Sequence, residues 1–226
     1  MDAASICHSE WSTETAGTTL GRRHVEQGTE GTPIRRGRGR RPAEEVRADV
    51  LAAAGALLLR DGMAAFTFER VAQEAGVSKT TLHKWWPSRG TLALDGYFHA
   101  VEPTLAFPDT GDIGADLAAQ LRAFVRLLTG TPAGRVIGGL IGQAQTDPEL
   151  SAALLQRYSG PRRALAVTAM RRAQDRGQLH PDADPRILVD QLWGACYHRL
   201  LLPDEPLTEE FADRLVANLL LGVGAG

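Results

Sequence analysis

The sequence predicts an all-α protein, in which a small N-terminal unit of three helices precedes a larger helical domain. Apolar residues recur at steps of three and four along most of the chain, and residues suited to cap helices stand before these stretches. No segment shows the alternation that is typical of strands. With 226 residues, of which 43% are hydrophobic and 23% charged, the chain can bury a core.

Composition divides the chain into three parts. Residues 1–34 are rich in Gly, Thr, Ser and Glu and show no helical or strand period, which predicts a disordered N-terminal extension. Residues 35–91 carry eleven Lys or Arg against six Asp or Glu, whereas residues 92–226 carry twelve against sixteen. We therefore expect a basic domain at 35–91, suited to a polyanion, and a second domain at 92–226.

Three helices are predicted in the basic part. The first carries an apolar stripe through Val46, Val50 and Leu57, and the next two are only about two turns long. Residues suited to begin or end a helix bound the three segments: Pro42, Gly62, Thr67, Gly76, Ser78 and Pro87. Two short helices therefore flank a tight turn at Gly76.

The residues around this turn are typical of a helix-turn-helix. Ala72 lets the two helices approach closely, and Val77 and Leu82 fill the angle between them. An ordinary helical hairpin would account for the turn but not for the hydrogen-bond donors on the outer side of the second helix, which can reach phosphates and base edges in a major groove. These donors are Lys79, Thr80, His83 and Lys84.

The remaining segments also have helical periodicity, and roughly eight to ten helices are expected in the whole chain. Good N-cap residues support the later boundaries, two of them followed by a proline at the first helical position. These predicted caps are Ser88, Asp147, Asp184 and Thr208.

Thr67, the run 72–82 and the tetrapeptide Trp86-Pro87-Ser88-Arg89 resemble the N-terminal pattern of the TetR family of bacterial transcriptional regulators. Segments 147–150, 160–163 and 172–177 look more loosely like one subgroup of its ligand-binding domains. The resemblance implies a dimeric, all-helical repressor that binds a palindromic operator in double-stranded DNA. It also implies release by a small, largely apolar effector.

The resemblance implies roles for individual residues as well. At matching positions the family places contacts to DNA phosphates on Thr67, Ser78, Thr81 and Arg89, and contacts to bases or the groove on Lys79, Thr80, His83 and Lys84. His83 stands where the family usually has tyrosine.

Five arginines lie within residues 35–41, directly before the first predicted helix. A solvated, disordered linker is one interpretation of this run. Because it adjoins a DNA-binding unit, we expect instead a basic arm along the minor groove that includes Arg38, Arg40 and Arg41.

A homodimer needs a self-complementary surface, and the last two predicted helices carry apolar stripes that could pair into a four-helix bundle. We expect Leu188, Leu192, Leu215 and Leu219 at this interface, although such stripes could also face only the chain's own core. An effector could bind among aromatic and flexible side chains of the C-terminal helices. Such residues more often form plain core, so no ligand residues are assigned. These side chains are Tyr97, Phe98, Phe124, Met170, Trp193, Tyr197 and His198.

Other function classes find little support in the sequence. No uncharged apolar run approaches the roughly 20 residues needed to cross a bilayer, and the N-terminus lacks a secretory signal, so a cytoplasmic protein is expected. Cys7 and Cys196 are too far apart in the chain to suggest a disulfide framework or a metal site. Without a nucleophile elbow, a phosphate loop or a His-x-x-x-His pair, neither an enzyme nor a cofactor is expected. The main alternative is a protein that compacts DNA without sequence specificity, which would coat any duplex rather than protect one short palindrome.

Overall fold

The computed structural model describes residues 41–223, and this part of the chain is helical with no β-strand, which confirms the all-α fold class. Its first four helices are α1 (Ala43–Ala65), α2 (Phe68–Ala75), α3 (Lys79–Trp85) and α4 (Arg89–Val101). The following six are α5 (Ile113–Gly130), α6 (Ala133–Ala144), α7 (Pro148–Ala153), α8 (Gly160–Asp175), α9 (Pro185–Leu201) and α10 (Glu209–Val223). None of these helices is long and apolar enough to cross a bilayer. The predicted extension at 1–34 lies outside the described residues.

The boundaries of the short helices follow the predicted caps. The Thr67 hydroxyl accepts a hydrogen bond from the Arg70 amide at 3.2 Å, and Ser78 accepts one from the Thr81 amide at 3.2 Å. Between the two helices Gly76 adopts φ 64°, the left-handed conformation that glycine reaches without strain. The predicted helix-turn-helix is therefore confirmed in its geometry.

The first helix departs from the prediction at its end. Gly62 adopts φ 74° and breaks the helical backbone, but the chain turns helical again and continues to Ala65. The predicted end of the helix is thus a sharp kink, which the positive φ of a glycine permits.

The C-terminal helices also begin at the predicted caps. The Asp147 carboxylate accepts from the Leu150 amide at 3.0 Å, Asp184 accepts from Arg186 at 2.8 Å, and the Thr208 hydroxyl accepts from Phe211 at 3.1 Å.

A π-helical segment, Leu154–Ser159, joins α7 to α8 into one long helical run. It was not predicted. Pro161 has no amide hydrogen and cannot donate to the carbonyl one turn earlier, so the regular ladder is interrupted here. A short 3₁₀ turn, Glu102–Leu105, follows α4.

The core is continuous from α1 to α10, and α4 is the helix that both halves share. It packs on α1 at one side and on α6 and α7 at the other. The approach to α1 is very close, because a Cβ on Gly96 would lie 2.7 Å from the Ala54 Cβ and 2.9 Å from the Gly55 nitrogen. The expected domain boundary after residue 91 falls inside α4, so the division of the chain at that point stays a prediction.

Candidate nucleic-acid interface and adjoining cavity

The helix α3 is anchored on one side and open on the other. Leu82 and, just beyond the helix, Trp86 are both fully buried. The four predicted groove contacts are all exposed: Lys79, Thr80, His83 and Lys84. The structure therefore brings these four side chains together on one accessible face of a helix whose opposite face is fixed in the core.

The His83 side chain is exposed, but a ring contact restricts its orientation. Its ring lies against the Phe68 ring of α2, with centroids 4.3 Å apart and planes inclined by 30°. This contact holds the imidazole between the two helices of the motif, where a ring nitrogen can still meet a ligand on the open side.

Several of the predicted cationic contacts have partners within the chain. Lys79 donates to the Glu69 carboxylate, which lowers the pKa of that carboxyl below its usual value. Arg89 donates to the Phe66 carbonyl at 3.5 Å, and Arg41 pairs with Asp49. Lys84 has no ion pair with any residue between 41 and 223. A DNA phosphate would thus compete with Glu69 for Lys79, whereas Lys84 is available at once.

The predicted phosphate contacts with hydroxyl groups lie at helix N-termini. Thr67 caps α2, and Ser78 caps α3 with its hydroxyl 2.9 Å from the Thr81 hydroxyl. The N-terminus of a helix favours an anion through its free amides and its dipole, so these positions suit a phosphate. Arg38 and Arg40, the other predicted arm residues, lie outside the described part of the chain.

One carboxylate joins the end of α3 to the C-terminal half. The Trp86 indole donates to Asp95 of α4 at 2.8 Å, and Arg157 of the π segment donates to the same carboxylate at 3.0 and 3.2 Å. Arg47 of α1 lies 3.6 Å from it. Sequence reasoning missed Asp95 and Arg157, because two charged residues 62 positions apart on helix surfaces form no local pattern.

A cavity of about 180 Å³ lies among α5, α8 and α9. Of the seven candidate side chains, Phe124, Trp193 and Tyr197 line it. Tyr97 and Met170 are instead fully buried in the core, so the burial of an aromatic or flexible side chain did not by itself identify the lining. The complete lining is Leu105, Phe107, Gln120, Phe124, Tyr158, Ser159, Arg162, Arg163, Leu165, Ala166, Val189, Asp190, Trp193, Gly194 and Tyr197.

Most polar groups of the cavity lining already have partners within the chain. Gln120 is only 4% exposed, and its amide nitrogen donates to the Leu105 carbonyl at 3.1 Å. Its amide oxygen has no hydrogen-bond partner among the described residues. The hydroxyls of Tyr158 and Tyr197 lie 3.3 Å apart, and burial raises the pKa of Tyr197 well above its usual value, which keeps it protonated. A signal for Gln120 existed in the sequence, since it is a polar residue within the apolar stripe of α5.

Three of the four predicted dimer contacts need correction, and Leu215 stays a prediction. Leu188 and Leu192 are 3% and 1% exposed, and Leu219 is also buried, so these side chains fill the chain's own core and offer no surface to a second chain. Leu215 is half-buried. The helical stripe that suggested an interface is the inward one. Among the described residues of the same two helices, the exposed large apolar side chains are Ile187, Leu201 and Leu221.

Comparison with known proteins finds matches in both halves of the chain. The family model for bacterial regulatory proteins of the tetR family matches residues 50–95, and the model for the tetracyclin repressor-like C-terminal domain matches residues 107–219. The chain is 32% identical to YdeS, an uncharacterized HTH-type transcriptional regulator of Bacillus subtilis, over 83% of this chain and 94% of that protein. It is 31% identical to the DNA-binding transcriptional repressor TetR of Mycobacteroides abscessus, over 77% of this chain and 91% of that one.

A solved structure agrees with these matches. The crystal structure of the TetR family transcription regulator SCO0332 superposes with a TM-score of 0.76 and 64% identity, and covers 79% of this chain and 98% of that one. The chain therefore belongs to the TetR family and is a DNA-binding transcriptional regulator rather than an enzyme.

Proposed function

We propose that this regulator is a homodimeric repressor, which binds a palindromic operator through α3 and leaves it when a small effector occupies the cavity. The observation that carries the proposal is the open face of α3, where four potential donors stand on a helix fixed by Leu82 and Trp86. A helical hairpin with only a structural role does not require exposed hydrogen-bond donors on this face.

In this proposal the side chains divide by the part of the DNA that they meet. Lys79, Thr80, His83 and Lys84 enter the major groove, where donors of this kind distinguish base edges. Phosphates are bound by Thr67, Ser78, Thr81 and Arg89, and the arm with Arg38, Arg40 and Arg41 follows the minor groove. If two chains neutralise about eight phosphates, the log–log salt slope of binding is roughly −7.

The dimer forms through the outward sides of α9 and α10. Ile187 and Leu201 mark the exposed side of α9, and Leu221 marks that of α10. A twofold-symmetric dimer presents two equivalent copies of α3, which read the two halves of a palindrome if they lie about 34 Å apart, one helical turn of DNA.

Release by the effector uses α4 as the lever. Tyr158 lines the cavity, and the next residue toward the N-terminus, Arg157, holds Asp95 of α4, which in turn accepts from Trp86 at the end of α3. A ligand that binds better to a different position of the π segment will therefore disfavour the DNA-binding position of α3.

The alternative of a DNA-compacting protein is not favoured, because both family models and the relatives point to transcriptional regulators. The two functions differ in the footprint that they leave. A regulator protects one short palindrome in the DNA upstream of its own gene, whereas a compacting protein protects any duplex evenly.

The proposal is tested by footprinting and gel shift on that upstream DNA with the full chain. We expect one protected palindrome, a complex with two chains by sedimentation, and a loss of affinity of at least about tenfold for Lys84→Ala and His83→Ala, since each is present twice. Arg135→Ala is the matched control, because Arg135 is an exposed cation on α6. Even coating of unrelated DNA, or equal losses for Arg135→Ala, would contradict the proposal.

A further inference from the structure

We infer that the cavity takes a small aromatic compound whose ring carries an uncharged hydroxyl or amine, and that Gln120 is the residue that recognises this donor. The inference rests on the proposed release by an effector and specifies the chemistry of that effector. It is carried by the size of the cavity, by its aromatic lining and by one buried acceptor without a partner.

The size of the cavity sets the size of the ligand. Its volume of about 180 Å³ exceeds only slightly the roughly 150 Å³ of an apolar protein cavity that binds benzene. A substituted single ring therefore fits, and a larger skeleton would have to protrude between α8 and α9, where the exposed Leu165 and Gly194 form the mouth.

The walls suit a flat ring. Phe107 and Trp193 stand with ring centroids 6.3 Å apart, and Phe124 meets Tyr197 edge-on at 5.5 Å. These four side chains offer both ring faces and ring edges to a ligand, and aromatic pairs are most favourable in such offset and T-shaped arrangements.

The acceptor at the inner end requires a donor from the ligand. The Gln120 amide nitrogen is fixed on the Leu105 carbonyl, so the amide cannot turn over without placing two oxygens against each other. The amide oxygen is thereby left buried and unpartnered among the described residues. Such a group costs free energy as long as it stays unsatisfied, and a ligand that donates to it removes this cost.

The charges around the cavity favour a neutral ligand over a cationic one. Asp190 is the only carboxylate of the lining, and Arg163 already pairs with it at the mouth. Arg162 donates to the Leu105 carbonyl at 3.2 Å, the carbonyl that also accepts from Gln120, and adds a second positive charge to the lining. A ligand cation would meet two guanidinium groups and no free carboxylate, so the donor has to be an uncharged hydroxyl or aryl amine.

The test compares two probes of the same shape, 4-ethylphenol and 4-ethyltoluene, by calorimetric titration of the full chain. The two differ only in a hydroxyl that the second replaces by a methyl group. We expect the phenol to bind roughly tenfold more tightly, because its hydroxyl satisfies Gln120. In Gln120→Leu this preference is lost or reversed, whereas Gln145→Leu, which alters an exposed glutamine of the α6 terminus, keeps it.

Gln120→Leu also loses the bond to Leu105, so its helicity is checked first by circular dichroism. The relative affinities of the two probes for the unaltered chain test the inference independently of the Gln120→Leu variant. Equal affinities for the two probes, or no binding of either, would overturn the inference.

Operator binding separates this inference from the proposed function. If 4-ethylphenol binds through Gln120 but the DNA complex persists, release by the cavity ligand is wrong and the ligand class stands. If the complex is released only by compounds that lack an aromatic donor, the ligand class is wrong and release stands.

Discussion

The contact between α1 and α4 and the region among α5, α8 and α9 are packed in opposite ways. At Gly96 the backbone of α4 touches α1 so closely that even a methyl group would overlap with Ala54. Among α5, α8 and α9 the side chains leave about 180 Å³ empty. We therefore expect the first region to move as one body, because its packing leaves no free volume, and the second to change its shape around a ligand.

This difference gives each region its part in regulation. The tight contact ties α4 to the helix-turn-helix, and the cavity gives a ligand a place to act on Tyr158. The π segment lies between the α1–α4 contact and the cavity. It is a type of helical irregularity that often occurs at functional sites.

The largest effect on stability is expected at Gly96, where the contact between α1 and α4 leaves no room for a Cβ. In Gly96→Ala the new Cβ meets Ala54 and the Gly55 backbone, so α4 must move away from α1. We expect the free energy of unfolding to fall by about 1–3 kcal/mol, although alanine is the better helix former. Urea unfolding followed by circular dichroism measures the change.

The matched control is Gly139→Ala in α6, where nothing lies within 4 Å of a new Cβ. There the gain in helix propensity acts alone, and stability should rise by about 0.5–1 kcal/mol. Equal changes in the free energy of unfolding of the two variants would show that the α1–α4 contact is looser than in the structure.

An intermediate effect is expected from the connection through Asp95. Trp86→Phe removes the indole donor together with some buried ring volume, and Arg157→Gln removes the cation, but both act on one carboxylate. Their effects on the free energy of unfolding should therefore not add, with an interaction energy of about 0.5–1 kcal/mol. Arg122→Gln provides the control, since Arg122 pairs with Asp213 instead, and its combination with Trp86→Phe should be additive. Additivity in both cycles would remove Asp95 as the link.

The helix-turn-helix could be predicted residue by residue because its determinants are local. Thr67, Gly76 and Ser78 act within three or four positions of themselves, through caps and a left-handed turn, and periodicity alone assigned Leu82 to the core. The open face of α3 then follows from its buried one.

The C-terminal half could be predicted only in outline, because its determinants are not local. The leucine stripes of α9 and α10 correctly predicted helices with one buried side, but periodicity does not say whether the burial is by the same chain or by a second one. Leu188 and Leu192 proved to be inside. The Asp95–Arg157 pair and the cavity depend on how distant helices meet, which no spacing in the sequence records.

The smallest effect on stability is expected at the cavity. It distinguishes a side chain that borders empty volume from one in filled core on the same helix. Ala166 and Ala173 are both buried on α8, but only Ala166 lines the cavity. Ala166→Leu adds three carbons that the empty volume can accept, so stability should change by less than about 1 kcal/mol, and upward. Ala173→Leu adds the same atoms to filled core and should lose about 1–3 kcal/mol.

The same two variants connect stability to ligand binding. Leucine at position 166 occupies part of the volume that a ring would fill, so the variant should keep its fold while losing 4-ethylphenol in calorimetric titration. Similar losses of stability at both alanines would mean that the helices close over the space in solution. In that case the contrast between a closed contact at Gly96 and an open region beside α8 would not hold, because both regions would be packed alike.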